Sequence, residues 1–297
     1  MTIHYYRVAG FLFSVCLPMD MDQELLLPSF LPFRTTKPTG DEERLFDFTA
    51  VSPNVMPDAK DKELLEKTDN DMGHLNLYAT SEGYLIEIIN GCYTHLMMAD
   101  TGFTSIKACL HREDRNARHA LSSLLRISYA QAILCHAAVS IHAAAVYNNG
   151  QAYLFMGASG TGKSTHASLW RRHIPGTGLL NDDNPTVRLV NGKAYAYGTP
   201  WSGKTACYKN LSFPIGGMVR LYQASANKFC RQDGTDAFVA LYPGCSVIAE
   251  DERLRNSLYD TLARLADTTV IGTMECLPDE MAAWTCYHAV TNNKQTF

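Results

Sequence analysis

The sequence carries no run of ~18 or more uncharged apolar residues among its 297 positions, so no membrane-spanning helix is expected. Its nine cysteines are odd in number, scattered, and include no C-x-x-C pair. That excludes a disulfide frame and a paired-ligand zinc site, and reads as reduced thiols in a cytoplasmic protein. Net charge is only −4, so no global field draws the chain to nucleic acid or to an anionic membrane. No internal repeat and no low-complexity segment occurs. Val8 to Leu17 is apolar enough for a signal-peptide core. No small-residue cleavage site follows, however, and Phe11, Phe13, Val15 and Leu17 alternate as a strand does.

What is present is enough for a large core, since 46% of residues are apolar. Residues 1 to about 112 read as a β-rich domain, an antiparallel meander. Within it, Leu75–Thr80, Tyr84–Ile89 and Cys92–Met98 read as strands, with Asn90-Gly91 as a hairpin turn. Arg44–Val51 and Phe103–Leu110 are further strand candidates. The charge-dense stretch Pro57–Asp71 reads as a short solvated helix. His74, His95 and His111 stand apart from one another, as surface or packed histidines do. Glu113–Ala137 reads as one long connecting helix with Leu121, Leu124, Leu125, Ile133 and Leu134 at helical spacing. Residues 138–297 form the second domain. Its expected elements include strands over Ser140–Tyr147, Gly217–Gln223, Ala237–Tyr242 and Thr269–Cys276. A hairpin turns at Asn191-Gly192, and helices run over Arg253–Ala266 and Glu280–Ala289.

One stretch of the second domain carries chemistry. Gly157-Ala158-Ser159-Gly160-Thr161-Gly162-Lys163-Ser164 fits the phosphate-loop pattern G-x-x-x-x-G-K-[ST] at every fixed position. Chance would supply such an octamer in roughly one chain in a hundred of this length. Ala152–Met156 before it is a short apolar run, a buried strand. Thr165–His173 after it lacks Gly and Pro and ends at Pro175-Gly176, a helix with a stop signal. Strand, glycine loop, helix is the context in which backbone N–H groups cradle a phosphate at a helix N-terminus. Lys163 then meets the outer phosphates, and the Ser164 hydroxyl suits Mg²⁺.

Asp182-Asp183 follows nineteen residues after Lys163. A helix and a short turn are expected to return the next strand beside the first, with its carboxyl end at the mouth of the nucleotide site. One carboxylate there can hold Mg²⁺ and the other accept a proton from an attacking hydroxyl. The plainer alternative is an acidic turn, since Asn-Asp-Asp-Asn-Pro is good turn chemistry. His142, in the strand preceding the loop strand, can reach the same sheet end or be a packed core histidine. Trp201 and Lys204, in the loop Gly198–Lys204, are substrate-loop candidates, as is Arg220 on a predicted strand. Each also has a structural reading, as core plug or surface charge.

Ser140-Ile141-His142, the loop through Thr165, and Asn181-Asp182-Asp183 together resemble the core of the HPr kinase/phosphorylase family. The loop itself is closer to that of ATP-dependent phosphoenolpyruvate carboxykinase, which also follows its loop with an Asp-Asp pair. The resemblance spans roughly residues 138–205. It implies an α/β (α+β) fold with a bent mixed sheet of the P-loop kinase kind, ATP and Mg²⁺ as cofactors, and catalysis by Asp182, Asp183, His142 and Lys163. Ser164, Asp182 and Asp183 would contact the metal, with His142 supporting the catalytic carboxylate. Ala143 departs from the family's glycine after the histidine, and the segment that engages a protein substrate is not visible. The expected activity is transfer of the γ-phosphoryl of ATP to a hydroxyl of a protein or peptide serine or of a small molecule. The reverse phosphorylase direction and a non-catalytic nucleotide sensor or scaffold are the alternatives. The β-rich domain would serve acceptor recognition or assembly, including a homo-oligomer.

Overall fold

The computed structural model describes all residues except 41, 53–55, 57–60, 71–72 and 292–297. The chain divides into two compact units, Met1–Ile133 and Leu134–Phe297. No helix among the described residues is long and apolar enough to cross a membrane.

The first unit is one nine-stranded sheet. In chain order its elements are β1 (Thr2–Val8), β2 (Phe11–Leu17), α1 (Gln23–Leu26), β3 (Arg34–Thr35), β4 (Asp47–Ala50), β5 (Glu63–Asn70), β6 (Gly73–Thr80), β7 (Gly83–Asn90), β8 (Tyr93–Asp100), β9 (Ser105–Cys109) and α2 (Ala117–Ala132). The strand order is β3-β1-β2-β4-β9-β8-β7-β6-β5. The sheet is mixed, not the antiparallel meander expected, because β4 pairs parallel to both β2 and β9. The connection over residues 18–46 carries the chain back to the end at which β2 began, so β4 enters in the same direction.

Three local expectations also change. Val8–Leu17 is broken by a two-residue turn at Ala9-Gly10, both at positive φ (51° and 84°). The charged stretch read as a helix is, where described, the edge strand β5, paired antiparallel with β6. Its Pro57–Lys60 and Asp71 lie outside the described residues. Charge on an edge strand discourages further pairing, which explains a strand of this composition. The long helix begins at Ala117 and not at Glu113, because Asp114 turns the chain: its carboxylate accepts the Asn116 N–H at 2.8 Å. The same carboxylate lies 2.8 Å from Nε2 of the fully buried His95. Phe13, Phe46, Phe48 and Tyr129 fill the core of this unit.

The second unit comprises β10 (Ala138–Ser140), β11 (Ala143–Asn148), β12 (Gln151–Met156), α3 (Lys163–His173), β13 (Gly178–Asn181), β14 (Thr186–Val190), β15 (Lys193–Tyr197), β16 (Ser212–Gln223), β17 (Lys228–Gln232), α4 (Gly234–Leu241), α5 (Glu252–Thr268), β18 (Ile271–Cys276) and α6 (Glu280–Thr291). The path runs β10-β14-β15-β16-β12-β11-β13, with β18 beside β16 and β17 beside β18. β16 serves two neighbourhoods. Its first residues pair antiparallel with β15, and its later ones pair parallel with β12 and β18.

Ala237–Tyr242, expected as a strand, belongs largely to α4. Its composition suits a strand, but the buried positions Ala237, Ala240 and Leu241 follow helical spacing. The strand expected over Ser140–Tyr147 is interrupted at Ile141-His142, so β10 and β11 pair with different neighbours. β13 pairs with β11, so it is not the immediate neighbour of β12. Both run antiparallel to β11, however, and therefore parallel to each other, so their carboxyl ends share one edge.

The helix behind the phosphate-loop motif is held rigidly. Trp170 is fully buried and packs against Tyr153, Phe155 and Tyr287 at ring separations of 4.9, 5.2 and 5.4 Å. Its Nε1–H donates to His166 Nε2 at 3.1 Å. Burial pushes the pKa of His166 down to about 4. The unfolded chain therefore takes up a proton near pH 6.5 that the native state refuses until about pH 4. Stability is expected to fall as pH drops through that window, by up to about 3 kcal/mol. Denaturant midpoints at pH 7 and pH 4.5 test this; the dependence should shrink in His166→Gln.

Candidate functional site

The loop between β12 and α3 departs from ordinary backbone at its three glycines. Gly157, Gly160 and Gly162 have φ of 151°, 79° and 102°. A side chain at Gly157 would put its Cβ 2.8 Å from Thr161 Oγ1 and 3.2 Å from the Leu221 carbonyl. Glycine is therefore required there by space as well as by angle. The Thr161 hydroxyl donates to the Ala158 carbonyl, and Gln223 Nε2 donates to the Gly160 carbonyl at 3.1 Å. Ala158, Ser159 and Gly160 face solvent, as do Ser164 and Thr165 at the start of α3. No side chain caps α3, and no acidic residue occupies its first turn. Its leading N–H groups and dipole are thus left to an anion.

Lys163 lies over this loop, its Nζ donating to the Gly157 and Ala158 carbonyls at 3.0 and 3.1 Å. Burial lowers its pKa from the usual lysine value. The Asp183 carboxylate opposes that shift, Arg220 adds to it, and Asp182 opposes it. The ammonium therefore feels both aspartates and one further cation, which places all four charges in one neighbourhood.

The acidic pair sits at the tip of β13. Asn181, fully buried, builds the turn: its Oδ1 accepts the N–H of Asp183 and of Asn184, each at 2.9 Å. Its Nδ2 donates to Thr199 Oγ1 at 3.1 Å and to the Trp201 carbonyl at 2.9 Å. Asp182 is buried, and its Oδ2 accepts the Thr205 N–H at 3.1 Å. Asp183 is more open, with 31% of its side chain exposed. Asn184 Nδ2 donates to its Oδ2 at 2.5 Å. His142 Nδ1 stands 3.2 Å from Asp183 Oδ1. The break between β10 and β11 makes that approach. Ile141 bridges to Cys245, the His142 N–H donates to the Gly244 carbonyl at 2.6 Å, and the Ala143 N–H donates to the Asp183 carbonyl at 2.9 Å.

Arg220 is 8% exposed. The parallel register of β12 and β16 sets it opposite Met156, the last strand residue before the loop. Its Nε donates to the Ala240 carbonyl at 2.5 Å, whereas its buried Nη2 has no hydrogen-bond partner among the described residues. Burial pushes the guanidinium pKa down.

The structure thus brings together Lys163, Asp182, Asp183, His142 and Arg220 at the carboxyl edge of the sheet. Trp201 is different. Its ring is buried and its carbonyl anchors Asn181, so it plugs the core beneath the acidic tip. Lys204 is exposed and makes no ion pair among the described residues, although its neighbour Gly203 approaches the Asp182 backbone closely.

No group of three or more His, Cys, Asp and Glu that could hold a metal occurs among the described residues. The donors that the tip of β13 offers are the Asp182 and Asp183 carboxylates. That set is oxygen-only and incomplete without phosphate oxygens and water, which suits Mg²⁺ and not zinc. Three contributors to the site carry no sequence signal as strong as the loop's. Asn181 and Asn184 shape the acidic turn, and the Thr205 backbone holds Asp182; only the Asn-Asp-Asp-Asn run hinted at them.

No family model matches this sequence, and no curated protein matches it. Among solved structures, the HPr(Ser) kinase/phosphatase from Coxiella burnetii is similar over 52% of this chain and 95% of that chain. The identity is 12% and the TM-score 0.30, a distant structural resemblance.

Proposed function

We propose that the second unit binds Mg-ATP at Gly157–Ser164 and transfers its γ-phosphoryl to a hydroxyl acceptor, with Asp183 as general base. The observation that carries this reading is the placement of Asp183, half-open, backed by His142 at 3.2 Å, and within electrostatic reach of Lys163. The loop N–H groups and Lys163 hold the β- and γ-phosphates. Ser164 and Asp182 are the residues that would hold Mg²⁺, which would supply neutralising charge to the phosphates when bound. Asp183 takes the proton of the acceptor hydroxyl as that oxygen bonds to the γ-phosphorus. The bond from that phosphorus to the β–γ bridging oxygen breaks, and ADP leaves with its electron pair. His142 orients the Asp183 carboxylate. Arg220 and Lys163 stabilise the charge that spreads over the transferring group.

The nearest test is binding. Calorimetric titration should show Mg-ATP binding to the intact chain, weakened ~10- to 100-fold in Lys163→Ala, the range expected for one charge-assisted contact to phosphate. Unchanged affinity in that variant would remove the loop from the nucleotide site. An acceptor screen with γ-labelled ATP, over metabolite pools and lysate proteins, then identifies the hydroxyl.

A further inference from the structure

Beside the phosphate loop lies a cleft of about 390 Å³, floored by the loop backbone from Gly160 to Gly162. Its walls are apolar at Leu169, Leu277 and Pro278, and its polar side chains are Thr161, Thr165, His166 and Gln223. The size falls in the range of small-molecule pockets. His166 is 2% exposed. Its Nε2 accepts from the Trp170 indole, which can only donate, so Nε2 carries no proton. The proton of the neutral ring therefore sits on Nδ1, which makes no hydrogen bond among the described residues and is not sealed from solvent. The Phe155 ring meets the imidazole edge-on at 4.6 Å and fixes its plane.

We propose that this cleft is the subsite for a purine base, read by donation from His166 Nδ1–H to a ring nitrogen of the base. The inference rests on the loop being a nucleotide phosphate site, and it adds which part of the nucleotide is recognised beyond the phosphates, and by which atom. A flat two-ring base covers the Leu169, Leu277 and Pro278 walls. A donor that reaches solvent through the cleft exchanges water for a ring nitrogen of the base, and a base that lacks that nitrogen leaves the donor unpaired. The low pKa of the imidazole keeps the donor neutral and its tautomer fixed across the physiological range.

The experiment compares Mg-tripolyphosphate, Mg-ATP and the 1-, 3- and 7-deaza analogues of ATP on the intact chain and on His166→Gln. Gln retains an acceptor for Trp170 and exchanges the fixed ring N–H for a flexible amide donor, so its result is read together with the deaza series. The expected result is ATP binding at least ~10-fold tighter than tripolyphosphate. One deaza analogue should lose about that factor, and so should ATP on H166Q, while tripolyphosphate binds both proteins equally. Tripolyphosphate affinity is thus the folding control, and the deaza series decides the matter on the unaltered protein if H166Q does not fold. ATP no tighter than tripolyphosphate, or all deaza analogues equal to ATP, overturns the base subsite and leaves the phosphate loop standing. Failure of the unaltered protein to bind either ligand overturns the loop reading and this inference with it.

Discussion

Asp183→Asn is expected to reduce phosphoryl transfer by at least ~10³-fold, about 4 kcal/mol in the barrier, while Mg-ATP binds within a few-fold of its original affinity. Asn is nearly isosteric and can keep the contact with the Asn184 side chain, but it cannot take the proton of an attacking hydroxyl. The turn should survive, because it is built by Asn181 accepting two backbone N–H groups and not by the Asp183 carboxylate. Before the acceptor is known, slow release of γ-phosphate to water serves as the readout. His142→Ala should cost less, about 10-fold, because His142 orients the base and does not itself exchange the proton. Full turnover in Asp183→Asn would sink the assignment. An unaltered protein that binds Mg-ATP tightly yet transfers phosphate to nothing, water included, would favour the sensor alternative.

The phosphate loop was legible because its determinants are contiguous. Three glycines, a lysine and a hydroxyl at fixed offsets need no tertiary information, and the flanks read as β12 and α3 in the structure. The Asn-Gly hairpins at residues 90–91 and 191–192 were legible for the same reason, with two residues setting the turn. The failures lie where distant parts of the chain decide. β4 runs parallel to its neighbours because of a long connection, not because of its own residues. α4 is helical though its composition suits a strand, and β17 is polar because it lies at an edge. The surroundings of His166 were invisible. Its tautomer depends on Trp170 one turn along α3, and its open nitrogen depends on a cleft closed by residues 276–278.

Arg220→Met is expected to change function and stability in opposite directions. Arg220 is a cation buried to 8% exposure with one terminal nitrogen unpartnered, which is costly in the resting protein. Met has similar length and no charge, so the variant should be as stable as the parent or more so. Related replacements of buried charge by apolar residues give about 1–4 kcal/mol in that direction. The lost bond to the Ala240 carbonyl trims that gain. Turnover, by contrast, should fall by about 10³-fold, with ATP affinity reduced less. The guanidinium sits beside the strand that feeds the loop and adds to the field at Lys163, where charge develops in transfer. A melting temperature and a rate measured on the same preparation separate the two readings. A merely structural arginine would lower both on removal. One retained for catalysis leaves a sturdier protein that no longer turns over, and this second pattern is the expected one because Nη2 has no partner among the described residues and would gain one from a bound phosphate.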